Sequence, residues 1–151
     1  MSALYDQHGV RFAYPENWTL EDPPDDEAEL QVTVSSPETA FWSLSIYEGL
    51  RDIRSLLNEV LQAMQAEYPA LEHDPADEAI SGTMVAGYDL SFYCLDLTNT
   101  ARIRVFHREG ATCLLLCQAE DREFDEVEPV FDAMTATLFR PELADSSASD
   151  D

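Results

Sequence analysis

The chain has 151 residues, 45% of them apolar, which is enough for one domain with a self-sufficient core. Thirty-one acids stand against eight bases, all of them arginine, for a net charge of -23. That field repels polyanions, so phosphate-led binding of nucleic acid is excluded and anionic membranes are disfavoured; no apolar run approaches the roughly 20 residues of a membrane span.

Leu4 to Tyr14 reads as a hairpin or arm, with a turn at Gly9 and alternation from Val10 to Tyr14. Trp18 reads as a core plug under the next loop. Glu21 to Glu29 holds two prolines and six acids and is expected to be a solvated loop. Leu30–Ser36 and Phe41–Tyr47 follow as strands. The first helix is marked by Asp52 as N-cap, by Ile53, Leu56, Leu57, Val60, Leu61, Met64 and Tyr68 on one face, and by Pro69 as the stop. Leu71 to Ser81 is polar, with a short strand expected near Glu78–Ser81.

Tyr88 to Ala119 predicts three consecutive antiparallel strands. A two-residue turn at Glu109-Gly110 sets Arg108 opposite Ala111, Phe106 opposite Cys113 and Arg104 opposite Leu115. For the preceding hairpin, a three-residue loop at Thr98–Thr100 keeps apolar residues paired with apolar ones, setting Leu95 opposite Ile103, Phe92 opposite Phe106 and Asp96 opposite Arg102. Both faces are then apolar, and both need cover. Cys94, Cys113 and Cys117 fall on one face in this register, at separations of roughly 10 to 13 Å that exclude a disulfide, and read as buried thiols. A second helix carries Val127, Val130, Phe131, Met134 and Leu138, its regular part expected to start near Asp125 because Pro129 suits only a first turn. Residues 1–141 read as one domain, an α+β antiparallel sheet of about six strands covered by helices and loops on both faces; 142–151 read as a disordered acidic tail.

The familiar catalytic signatures are missing from the sequence. With no lysine there is no P-loop lysine and no Schiff base, and there is no GxGxxG, GxSxG, HExxH or CxxC. The acids and histidine of Glu72-His73-Asp74 with Asp77 and Glu78 lack the glycine bend of a hard-cation loop, so no metal and no cofactor is expected. Two surface features stand out. Glu21, Asp22, Asp25, Asp26 and Glu27 form an acidic stretch suited to docking a basic protein partner. Arg102, Arg104 and Arg108 share a strand face and could present an anion-binding strip, or could pair across strands.

Gly-Val-Arg-Phe-Ala-Tyr-Pro-Glu-Asn-Trp from Gly9 to Trp18 precedes two strands and a helix, Gly-Tyr-Asp-Leu opens the meander at Gly87, and Val-Phe-Asp-Ala-Met-Thr-Ala-Thr-Leu closes the last helix. This order resembles the PsbP-like superfamily, which joins the photosystem II extrinsic protein PsbP, Ran-binding import factors and small bacterial proteins such as DcrB. The resemblance spans roughly residues 8 to 140. It implies an antiparallel sheet between helices, no shared catalytic residues and a role as a binding or accessory subunit. The expectation is therefore a non-enzymatic module that docks a protein partner through acidic surface. Many bacterial members of the family are exported or lipid-anchored, but Met-Ser-Ala-Leu-Tyr-Asp at the start shows neither a basic n-region nor an apolar h-region, so a cytoplasmic location is expected. A dimeric secretion-chaperone-like protein and a small-anion binder are the alternatives, and salt adaptation is a second reading of the charge.

Overall fold

A computed structural model describes residues 2–22 and 30–143. Alternating residues on either side of Gly9 make the hairpin of β1 (Ser2–Gln7) and β2 (Val10–Pro15), which stands apart from the main sheet. The chain continues through β3 (Thr19–Glu21), β4 (Leu30–Ser35), β5 (Phe41–Glu48), α1 (Ile53–Glu67), β6 (Glu72–Pro75), β7 (Glu78–Ile80), β8 (Thr83–Cys94), β9 (Leu97–Arg108), β10 (Ala111–Glu120) and α2 (Asp121–Phe139). The eight-stranded sheet runs β3-β4-β5-β10-β9-β8-β6, with β7 also on β8, and every pairing is antiparallel. The expected count of about six strands falls short because β3 and β6 are three- and four-residue edge pieces, too short and too polar to alternate visibly.

The sheet separates two cores. On one face α2 and the β1–β2 hairpin cover Val34, Trp42, Leu44, Phe106, Leu115 and Cys117, with Trp18 packed edge-on against Phe131. On the other face Leu56, Leu57 and Leu61 of α1 lie on Leu90, Phe92, Ala101, Ile103 and Val105. The apolar stripe of α1, its Asp52 cap onto the Ser55 N–H and its stop before Pro69 follow the sequence reading. On that second face β4 and β5 contribute Thr33, Ser43 and Ser45 instead of apolar residues, and Thr33 and Ser43 share a hydrogen bond of 3.1 Å.

The β9–β10 register is the expected one, with Arg108 opposite Ala111 and Phe106 opposite Cys113. The β8–β9 register is not. The turn is Leu95-Asp96, so Cys94 faces Leu97, Asp89 faces Arg102 and Gly87 faces Arg104. The offset from the expected pairing is odd, so β8 presents the opposite face. Phe92 and Cys94 therefore pack on the α1 side, away from Cys113 and Cys117. The three thiols are free, but they do not share a face. The reason is Gly87: only a glycine leaves room for the side chain of Arg104 to cross its neighbour. A Cβ there would sit 2.6 Å from the Ile103 carbonyl oxygen and 2.7 Å from Arg104 Cδ.

The second correction concerns α2, which begins at Asp121 and carries Pro129 inside it. Pro129 lies on the exposed side, where water can serve the carbonyl that loses its N–H partner. Of the expected tail 142–151, residues 144–151 lie outside the described part, whereas 142 and 143 are helical, in one turn with Pro141.

Gly87→Ala forces a backbone carbonyl to give way, and we expect it to lower stability by about 1–3 kcal/mol. Urea denaturation of the two proteins checks this; an unchanged midpoint would contradict the β8–β9 register.

Candidate functional site

The arginine strip lies on β9, on the face covered by α2. Arg104 is buried in mid-sheet and each of its guanidinium nitrogens donates a hydrogen bond. Nε bonds Glu78 at 2.7 Å, one terminal nitrogen bonds Asp89 at 2.8 Å, and the other donates to the Tyr88 and Ile103 carbonyls at 3.2 and 3.1 Å. One guanidinium thus joins β7, β8 and β9. Arg102, two residues earlier, reaches α2 instead, pairing with Glu128 and, at 2.8 Å, with Asp132, while its guanidinium lies 5.3 Å from the centre of the Phe124 ring. Together with Cys117 and Asp132 the two arginines line a depression of about 210 Å3 under α2. Arg108 belongs elsewhere. It lines a second depression of about 220 Å3 with His8, Gly9, Leu30, Ile46 and Cys113, beside the Glu109-Gly110 turn. The strip therefore divides between two places, and Arg102 and Arg104 both act as clamps between elements.

Other groups are committed to the fold in the same way. Asp77 pairs with Arg54 of α1 and also accepts the Gly87 N–H at 3.2 Å, and these hydrogen bonds hold its carboxyl below the usual range. Burial pushes the Cys113 thiol up to about 11 and Cys117 up to about 12, which leaves them protonated and inert as nucleophiles. Glu72, His73 and Asp74 are strung along β6, with His73 edge-on to Tyr88, and Glu78 is held by Arg104.

The acids at the start of α2 divide by role. Glu120 caps the helix through the Arg122 and Glu123 N–H groups. Glu123 is buried and accepts from Ser36 Oγ at 2.6 Å, Thr39 Oγ1 at 2.5 Å and the Thr39 N–H at 2.7 Å. It latches the β4–β5 loop to the helix. The sequence does not reveal this latch locally, because its donors, the Ser36 and Thr39 hydroxyls, lie 87 and 84 residues away.

Of the acidic docking stretch, Glu21 ends β3 and Asp22 follows it, both exposed; Asp25, Asp26 and Glu27 lie outside the described residues. A feature not anticipated is the β8–β9 turn, where Tyr93 and Leu95 are among the most exposed large apolar side chains. Among the described residues no helix is long and apolar enough to cross a membrane.

No family model matches the chain, and no curated relative matches it. Its likeness is to solved structures. Cyanobacterial PsbP (CyanoP) from Synechocystis sp. PCC 6803 has a TM-score of 0.64 at 14% identity, covering 89% of each chain. LpqN, involved in cell envelope biogenesis of Mycobacterium tuberculosis, has a TM-score of 0.57 at 12% identity, over 89% of this chain and 87% of that one. PA94 from Pseudomonas aeruginosa, a protein of unknown function described as a putative regulator, has a TM-score of 0.55 at 16% identity, over 91% and 95%. The fold is PsbP-like, as the Gly9–Trp18 and Gly87–Leu90 motifs implied.

Two outcomes follow for stability. Replacing Arg104 with Met removes the tie among three strands, and we expect a loss of about 2–4 kcal/mol together with faster amide exchange in β7. Unaltered exchange in β7 would show that Arg104 does not hold it. For Glu123, burial raises the pKa but the hydrogen bonds from Ser36 and Thr39 outweigh it, so the folded value lies below the ordinary 4.5. A lowered folded pKa stabilises above the unfolded value and loses that contribution as pH falls through the folded value. Glu123→Gln should therefore be less stable than the parent at neutral pH, and the two curves should converge as pH drops below about 4.5. Parallel curves in a pH series of thermal melts would exclude this role.

Proposed function

We propose that this PsbP-like domain is a non-enzymatic binding module that docks a basic protein partner through its acidic surface. One observation carries the reading. Six of the eight arginines, Arg11, Arg54, Arg102, Arg104, Arg122 and Arg140, pair with carboxylates of the same chain, which leaves the large surplus of acids without a cation to offset it. A surface of that kind attracts a basic partner from a distance and discriminates against acidic ones. The same pairing weighs against the anion-strip alternative, because each nitrogen of the buried Arg104 guanidinium already donates within the chain, to Glu78, Asp89 and two carbonyls. The PsbP-like fold supports an accessory role without naming a partner.

The test is retention of a stoichiometric partner from native lysate on the immobilised full chain, at low and high salt. We expect a partner that salt releases and that the combined Glu21→Gln, Asp22→Asn, Asp25→Asn, Asp26→Asn and Glu27→Gln variant holds at least about fivefold less well. Retention indifferent to salt would contradict acidic docking altogether.

A further inference from the structure

The β8–β9 hairpin outruns its neighbours. Pairing with β6 ends at Ser91 and pairing with β10 ends at Asn99, so beyond the buried Phe92 residues 93–98 project past the sheet as a two-stranded finger. Its end is apolar and open: Leu95 is 91% exposed, Tyr93 70% and Leu97 41%. Single apolar side chains on a surface need no explanation, but three within five residues on one projection do.

The turn itself points the same way. Leu95 and Asp96 both have left-handed backbones, with φ of 53° and 64°. A two-residue loop of this type favours Asn-Gly, and a leucine in the left-handed region is sterically disfavoured. Leu95 gains almost no burial within the chain and sits in a conformation that suits it poorly. The fold gives no reason for a leucine there.

The rim of the finger is acidic. On one flank Leu97 forms the apolar wall of a depression of about 470 Å3 whose other lining residues include Glu38, Glu120, Arg122 and Glu126. The single guanidinium in that lining is held by Glu120 at 3.1 Å. On the other flank Tyr93 lines a smaller depression that includes Glu67, and Asp96 stands at the tip. An apolar projection ringed by carboxylates is complementary to an apolar pocket ringed by cations.

We infer that this finger is the anchor of the docking surface, and that its occupant is a basic segment of a partner protein carrying apolar residues among its arginines or lysines. The inference rests on the acidic-docking reading and places the contact at the hairpin end of the sheet, opposite the Glu109-Gly110 turn and away from Glu21, which sits on the β3 edge level with Leu116. A second copy is a poor occupant, because it would bring another net charge of -23 and the same acidic rim against the first.

The test uses the full chain and three labelled peptides of equal length, alternating arginine-leucine, arginine-serine and glutamate-leucine, in fluorescence anisotropy titrations. The variants are Leu95→Asn, which suits the turn better, and Tyr93→Ser. Arginine-leucine should bind at least about tenfold more tightly than arginine-serine, glutamate-leucine should not bind, and salt should weaken the complex. Leu95→Asn should melt no lower than the parent and still lose about tenfold or more in affinity, with Tyr93→Ser weakened in the same direction. Equal binding of the two arginine peptides, or no binding of arginine-leucine, overturns the inference. Affinity lost only in Glu21→Gln/Asp22→Asn and kept in Leu95→Asn overturns the finger and leaves acidic docking standing. Arginine-leucine binding indifferent to salt and to every variant overturns both. A dimer in sedimentation that Leu95→Asn dissociates also overturns the basic partner, assigning the finger to a second copy.

Discussion

The sheet depends on one buried guanidinium. Arg104 lies across Gly87 in the middle of β9 and reaches Glu78 on β7 and Asp89 on β8, so a single side chain ties three strands. A buried arginine is costly unless its donors are met, and this one meets two carboxylates and two backbone carbonyls. The requirement runs in both directions. The strand opposite must supply a residue with no side chain, and Gly87 is that residue. Once Gly87 stands opposite Arg104, every pair of the hairpin follows, down to a turn at Leu95-Asp96.

From that register the two cores take their membership. Phe92 and Leu90 join Ile103 and Val105 beneath α1, while Val85, Phe106 and Cys117 lie beneath α2 and the N-terminal hairpin. The helices are then fixed by polar ties at their margins. Asp77 connects Arg54 of α1 to the backbone of Gly87, and Glu123 connects α2 to the loop between β4 and β5. Arg102 holds α2 to β9 through Glu128 and Asp132. Each of these ties couples groups distant in sequence and places a carboxylate where it is matched by a cation or by hydrogen-bond donors.

A consequence for recognition follows from the scarcity of cations. In a chain with 31 acids and eight bases, with Arg54, Arg102 and Arg104 held as clamps between elements, the outer field is acidic. Long-range attraction and short-range anchoring then have separate physical sources. In the proposed docking the charge governs encounter with a basic partner, whereas exposed Tyr93 and Leu95 offer apolar area whose desolvation can hold it. The finger projects past the strands that would otherwise bury it, which makes the apolar area available without opening either core.

Much of the architecture was legible because it is written in local periodicity. The stripe from Ile53 to Tyr68 with Asp52 and Pro69 at its ends, the alternation of Leu30–Ser35 and Phe41–Glu48, and the Glu109-Gly110 turn each depend on neighbours within a few residues. The PsbP-like order of elements was legible for the same reason. The candidate site was legible only in part: the acidity and the row of arginines could be read, but their partners could not. Arg102 was set against Asp96 by hydrophobic matching, whereas the folded chain sends it to Glu128 and Asp132, 26 and 30 residues on. β3 and β6 were missed because they are short edge pieces set in proline- and acid-rich surroundings, where no alternation shows. The sequence by itself thus determined the helices, most strands, the two-sided core and the charge, since composition and short-range spacing decide these. Only the tertiary structure decided the β8–β9 register and the projecting Tyr93–Leu97 finger, because these follow from fitting a buried arginine over a glycine 17 residues earlier in the chain, a steric and hydrogen-bonding condition that no local pattern records.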